Sequence, residues 1–299
     1  MKRSKVYVNY NEDSQENPTV EHPIITINDI PSTSYWISDT TKALKIEVKN
    51  QENIFGDTDE NILQRDASFL IFSEWKDENW LKNVDIKSLE CNDNTKTLIE
   101  KLRIVYLAVN TVGEMYIDGF MDSLLHLLRF DSYPCLIYPQ YQYSTMIGSR
   151  EHNVIAKSDF SIVSASQQIL LLVVEDKTVK SATYANNWKE DQVLGELFVA
   201  VHSIVNKKPP VKDLKYPILV HAVRVIGTQF TFYKAEATKE YIKESAKTLP
   251  QKNKLIVYRH PIVEEDPDPS RLIAYDICNL DDRKNILKYL CYIRRFIAS

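Results

Sequence analysis

Glycine is scarce in this chain: six in 299 residues, with no GxGxxG and no GxxxxGK anywhere. Phosphate cradles made of successive backbone N–H groups need glycine for close approach. Dinucleotide-binding and P-loop chemistry are therefore excluded. Four cysteines, at 91, 135, 278 and 291, form no CxxC pair and no zinc spacing, so they read as reduced thiols of an intracellular protein. No apolar run approaches the eighteen residues of a membrane span, and the N-terminus lacks the form of a signal peptide. A basic excess is missing too. With a net charge of −4 and a pI near 5.9, general attraction to duplex DNA is not expected, and a phosphate-bearing substrate needs a local basic patch.

What is present is an ordinary globular composition, 44% apolar and 26% charged, with room for one large domain or two modest ones. The organising stretch is residues 159–177. Two apolar runs, FSIV and ILLLVV, are separated by Ser164, Ser166, Gln167 and Gln168, the pattern of two paired strands and their turn. The second runs into Glu175, Asp176 and Lys177. Strand side chains alternate, so Glu175 and Lys177 share a face and Asp176 takes the other. If the strands are neighbours, Asp159 lies beside Glu175. Two carboxylates and an ammonium then meet at one sheet edge, a set suited to Mg²⁺ or Mn²⁺ and to attack on a phosphate.

Elsewhere the periodicities are plain. PIITI (23–27) and LKIEVK (44–49) are β-like, and Trp36 is a packing anchor. An acidic start at 57–60 leads into a helix over ILQRDASFLIFSEW. Residues 95–109 and Met115–Phe130 carry the helical stripe, with Gly113 between them. Leu136–Thr145 reads as one tyrosine-rich strand. A helix over Asn186–Val205, a hairpin of Pro217–Ile226 with Phe230–Lys234, a strand at Lys254–Tyr258, an acidic proline-broken loop and a last helix at Asp281–Ile297 complete the chain.

From 113 to 226 the order is helix, three strands, helix, strand. With Asp159, Glu175 and Lys177 in place, this resembles the PD-(D/E)XK, or restriction-endonuclease-like, nuclease superfamily, with Ser158 where the family name has proline. Gln192, Gly195 and Glu196 look like the following helix of fungal members, among them Crinkler-type effector nuclease domains. The resemblance covers roughly 113–260. It implies an α/β restriction-endonuclease-like core in residues 96–299, preceded by a mostly helical N-terminal extension, residues 1–95, of no identified role. It further implies metal-dependent hydrolysis of phosphodiesters in DNA or RNA. Asp159 and Glu175 would hold the metal, Lys177 would act beside it, Glu114 would add an acid from the first core helix, and Gln192 would stand near metal or substrate.

Each residue has a plainer role to weigh. Asp159, Glu175 and Lys177 are equally a solvated strand end with a surface ion pair. Glu114, three residues after Thr111, is equally a capping-box partner, and Asp118 one turn on is the other candidate acid. Gln192 has glutamate, not the related tyrosine, four residues later. Lys180 and Tyr184 are equally polar loop residues, and His152 a surface histidine. Lys284, Lys288, Arg294 and Arg295 read as a solvated helix face, and Tyr138, Tyr141 and Tyr143 as packing across a sheet. The alternative from another class is a catalytically inactive effector or protein-binding module on the same fold.

Overall fold

The apolar runs set the architecture, because a strand buried on both faces must be apolar at every position. ILVHAVRVI of β7 (Ile218–Ile226) is buried almost throughout, and it lies at the centre of a mixed sheet. The computed structural model describes residues 25–27, 30–54, 61–107, 114–148, 152–164, 169–176, 190–206, 214–262 and 272–298; for 114, 169–170, 174–176 and 298 the backbone alone is described.

The other sheet strands are β1 (Ile46–Asn50), β2 (Cys135–Pro139), β5 (Phe160–Ser164), β6 (Ile169–Asp176), β8 (Gln229–Ala237), β9 (Leu255–His260) and β10 (Tyr275–Asp276). They run in the order β1-β9-β8-β7-β6-β5-β2, with β10 paired to β8. β6 is parallel to β7, and β1 to β9; the β2–β5, β5–β6, β7–β8 and β8–β9 pairs are antiparallel. A separate hairpin joins β3 (Gln142–Ile147) to β4 (His152–Lys157).

Alternation divides the core in two. Leu171 and Val173 of β6 pack with α4 (Asp93–Leu107), α5 (Glu114–Leu127) and α8 (Leu280–Ala298), whereas Leu172 packs with α6 (Glu190–Val205). α6 is buried at all but a few positions, as expected of a helix covered on several sides: the sheet lies under it and the hairpin over it. The hairpin strands alternate exposed and buried residues, and their inner face carries Tyr143, Val154 and Ala156 into the α6 cluster. None of the described helices is long and apolar enough to cross a membrane.

Several expectations change. Leu136–Thr145 is not one strand: Gln140 takes a left-handed φ of 52° and divides β2 from β3. β4 was not anticipated. Of PIITI, residues 25–27 are described and are not strand. The helix expected over 62–75 stops after five residues, α2 (Ile62–Asp66), where Ala67 leaves helical geometry. The first 95 residues also contain α1 (Ser38–Ala43) and α3 (Glu78–Asn83), so the helices there are short, and the same stretch supplies β1, an outer strand of the main sheet. Gly113 and the 263–271 loop lie outside the described residues.

Candidate active site at one end of the sheet

Strand direction gathers the polar ends. Because β6, β7, β9 and β1 share one sense, residue 175, Arg224, Arg259 and Asn50 all lie toward the same end of the sheet. β5 runs against β6 and so begins there. Phe160 pairs with Val173. Continued by one residue, that register sets Asp159 against Val174 and not, as expected, against Glu175, which lies one position further along β6. The carboxyl ends of parallel strands are a common place for sites in α/β sheets.

Asp159 is half-buried in the bend before β5. Its carbonyl accepts the Gln140 amide at 2.7 Å, and its Oδ1 accepts from Gln140 Nε2 at 3.3 Å. Beneath it the buried hydroxyls of Ser158 and Ser161 are 2.7 Å apart. Glu175 pairs with Val225 of β7, and Glu114 is the first residue of α5. The side chains of Glu114 and Glu175 lie outside the described residues, as do all of Lys177, Lys180 and Tyr184. Among the described residues, no three His, Cys, Asp or Glu side chains converge as a metal site.

The start of α6 completes the neighbourhood, and its first three side chains go three ways. Glu190, 8% exposed, accepts from Tyr233 Oη at 3.1 Å and from Arg259 Nη1 at 2.8 and 3.0 Å. Arg259 also donates to Asn50 Oδ1 at 3.1 and 3.0 Å. Asp191 accepts from Ser38 at 3.3 Å and Thr41 at 2.9 Å, tying α1 to the helix. Gln192 donates to Glu196 at 3.1 Å. Acids in a first helical turn also favour the helix dipole.

Burial pushes the Tyr233 hydroxyl well above its ordinary range; the Arg224 and Arg259 charges oppose that and Glu190 adds to it. Burial works against the Arg259 charge, and Glu190 and Tyr233 beside it together more than compensate. Tyr143, whose hydroxyl donates to the Glu196 carbonyl at 3.3 Å, is raised by burial and then by Glu196.

Glu190, Arg224, Tyr233 and Arg259 were missed from the sequence. The available signal was a lone arginine inside an otherwise apolar strand, at Arg224, and Arg259 closing LIVYRH. Other candidates have structural partners. The His152 ring hydrogen-bonds to the Ile30 carbonyl. Lys284 pairs with Asp281 at 3.1 Å, Arg295 with Asp66 at 2.7 Å, and Arg294 donates to the Arg129 carbonyl at 3.2 Å. Tyr138, Tyr141 and Tyr143 pack against one another, with ring centroids 5.4 and 6.1 Å apart.

No protein-family model matches the chain, and no curated protein matches it significantly.

Proposed function

We propose that this chain is a nuclease of the PD-(D/E)XK type, hydrolysing phosphodiester bonds of DNA or RNA with a divalent metal. The observation that carries the reading is the order and sense of the elements. α5, β2, β5, β6, α6 and β7 follow one another, interrupted by the β3–β4 hairpin. Their strands lie side by side as β2-β5-β6-β7, with the last pair parallel. Asp159 and Glu175 fall at adjoining strand ends within that order. Arg224 and Arg259 lie toward the same end, the charge of Arg259 matched by Glu190.

The donors are all carboxylates, the hard oxygen ligands that Mg²⁺ and Mn²⁺ take. Asp159 and Glu175 would hold the ion, with Glu114 as the added acid. When bound, such an ion acidifies a water and polarises the phosphate. Lys177 orients the attacking water or offsets charge growing on the phosphate oxygens. Gln192, in the first turn of α6, orients substrate or water.

The test is incubation of the native protein with single- and double-stranded DNA and RNA plus Mn²⁺, alongside Asp159→Asn and Lys177→Ala. Metal-dependent products from the native protein alone are expected. Equal products from all three remove the assignment. Thermal stability that rises with Mn²⁺ in the native protein but not in Glu175→Ala tests the metal site apart from turnover. Absence of both effects favours an inactive binding module.

A further inference from the structure

A 3-10 turn at Ile86–Ser88 and the middle of α4 border an open groove of about 500 Å³, within the size range of small-ligand sites. Four cations line it, Lys87, Lys96, Lys101 and Arg103, against two acids, Asp85 and Glu100. Both acids are engaged locally. Asp85 accepts the Lys87 amide at 3.1 Å, and Glu100 accepts from Arg103 Nη2 at 2.6 Å. Two of the lysines, by contrast, are held by neutral groups: Lys101 donates to the Gly119 carbonyl at 2.9 Å and Ser123 Oγ at 2.6 Å, and Lys96 to the Lys87 carbonyl at 3.1 Å.

The lining thus has a surplus of two positive charges in a chain whose net charge is −4. A concave wall of low polarisability concentrates such a surplus. Val84 and Ile86 supply an apolar side, and the lysine stems extend it.

We propose that this groove binds a phosphorylated ligand of nucleotide size, with phosphate against Lys87 and Lys96 and the organic part against Val84 and Ile86. The source is either a free nucleotide or a nucleotide within a strand. The proposal uses none of Asp159, Glu175 or Lys177, so it goes beyond the nuclease reading and stands or falls separately.

The test is equilibrium binding in EDTA of adenosine triphosphate and of a short fluorescent oligothymidylate. Native protein is compared with the Lys87→Glu, Lys96→Glu double variant, whose fold is checked by circular dichroism. The double variant is expected to bind at least about tenfold more weakly, and the salt dependence of log K to flatten by about one for each lysine removed. Binding of the triphosphate identifies the free nucleotide as sufficient; binding of the oligonucleotide alone identifies the strand. Equal affinity of native and double variant for both probes, or no binding of either by native protein, overturns the proposal. Cleavage in Mn²⁺ is read separately, so a failure here leaves the nuclease assignment as it was.

Discussion

Glu190 illustrates what individual side chains do at this end of the sheet. A carboxylate 8% exposed is tolerable because Arg259 and Tyr233 both donate to it, and its loss of hydration is offset through that geometry. Removing one partner leaves the charge stranded. Arg259→Met is expected to cost about 3 kcal/mol of stability, the lower end for a broken buried pair because Arg259 keeps some solvent contact. Adding Glu190→Gln should recover part of that loss, since no bare charge remains; urea unfolding of the three variants measures both. His202 poses the opposite problem, a buried group kept neutral. Its Nε2 bonds Ser245 Oγ at 2.9 Å, Phe198 and Tyr241 flank the ring, and Nδ1 has no hydrogen-bond partner among the described residues. Burial lowers its pKa from 6.5 to about 4. The unfolded chain therefore binds the proton first as pH falls. The associated stability is complete above pH 6.5 and is lost progressively down to about pH 4, roughly 2 kcal/mol of it between pH 8 and pH 5. His202→Gln should lose about that much less over the same interval. An unchanged difference between the two pH values would assign the acid sensitivity to other groups.

Among elements, legibility followed locality. α4, α5, β7 and the last helix each carry a sustained period over a dozen or so residues, or a long apolar run, and were read within a few residues of their ends. β4 escaped because HNVIAK buries only Val154 and Ala156, one of them a weak strand former. The β2–β3 break escaped because Gln140 is not a residue that announces a left-handed turn. The candidate site divides the same way. Asp159, Glu175 and Lys177 lie within one short stretch, so their pattern could be recognised. Asn50 and Arg259 are 209 residues apart, and nothing in either neighbourhood foretells the other. Gly195 belongs to this long-range class as well. It looked like part of a helix motif, yet a Cβ there would meet the Trp36 ring at 2.8 Å and the Thr33 methyl at 3.0 Å. Trp36 is held by its own bond to the Pro31 carbonyl at 3.0 Å and by Phe198, 5.7 Å away, so it cannot easily yield. Overpacking costs about 1–3 kcal/mol, while alanine for glycine in a helix gains about 1 kcal/mol. Gly195→Ala is therefore expected to destabilise the native protein but to stabilise a Trp36→Ala background. A double-mutant cycle by urea unfolding reads that change of sign, and the same sign in both backgrounds would refute the close approach.

At the scale of the molecule, the two stretches on either side of residue 95 are joined on both faces of the sheet. β1 pairs with β9 along its length, from Ile46 with Leu255 to Asn50 with Arg259. On the α6 face, Ser38 and Thr41 hold Asp191, and Tyr241 donates to the Leu44 carbonyl at 2.9 Å. On the other face, Arg283, 1% exposed, stacks 3.6 Å over the Trp75 ring and donates to the Trp75 carbonyl, while Arg295 pairs with Asp66. A chain begun at residue 96 would uncover Leu255 and Val257, which are fully buried, and would leave the Arg283 guanidinium without its aromatic cover. Each large apolar side chain uncovered forfeits roughly 1.5–3 kcal/mol. With Trp36, Leu44, Ile54, Ile62, Leu70, Trp75 and Leu81 removed as well, the loss exceeds the 5–15 kcal/mol that holds a typical domain folded. The full chain is accordingly expected to unfold in one calorimetric transition, and the chain begun at residue 96 to show neither a transition nor near-ultraviolet circular dichroism. A truncated chain that melts cooperatively, with native-like aromatic signals, would mean that residues 96–299 fold independently and that the first 95 are an addition to a finished core.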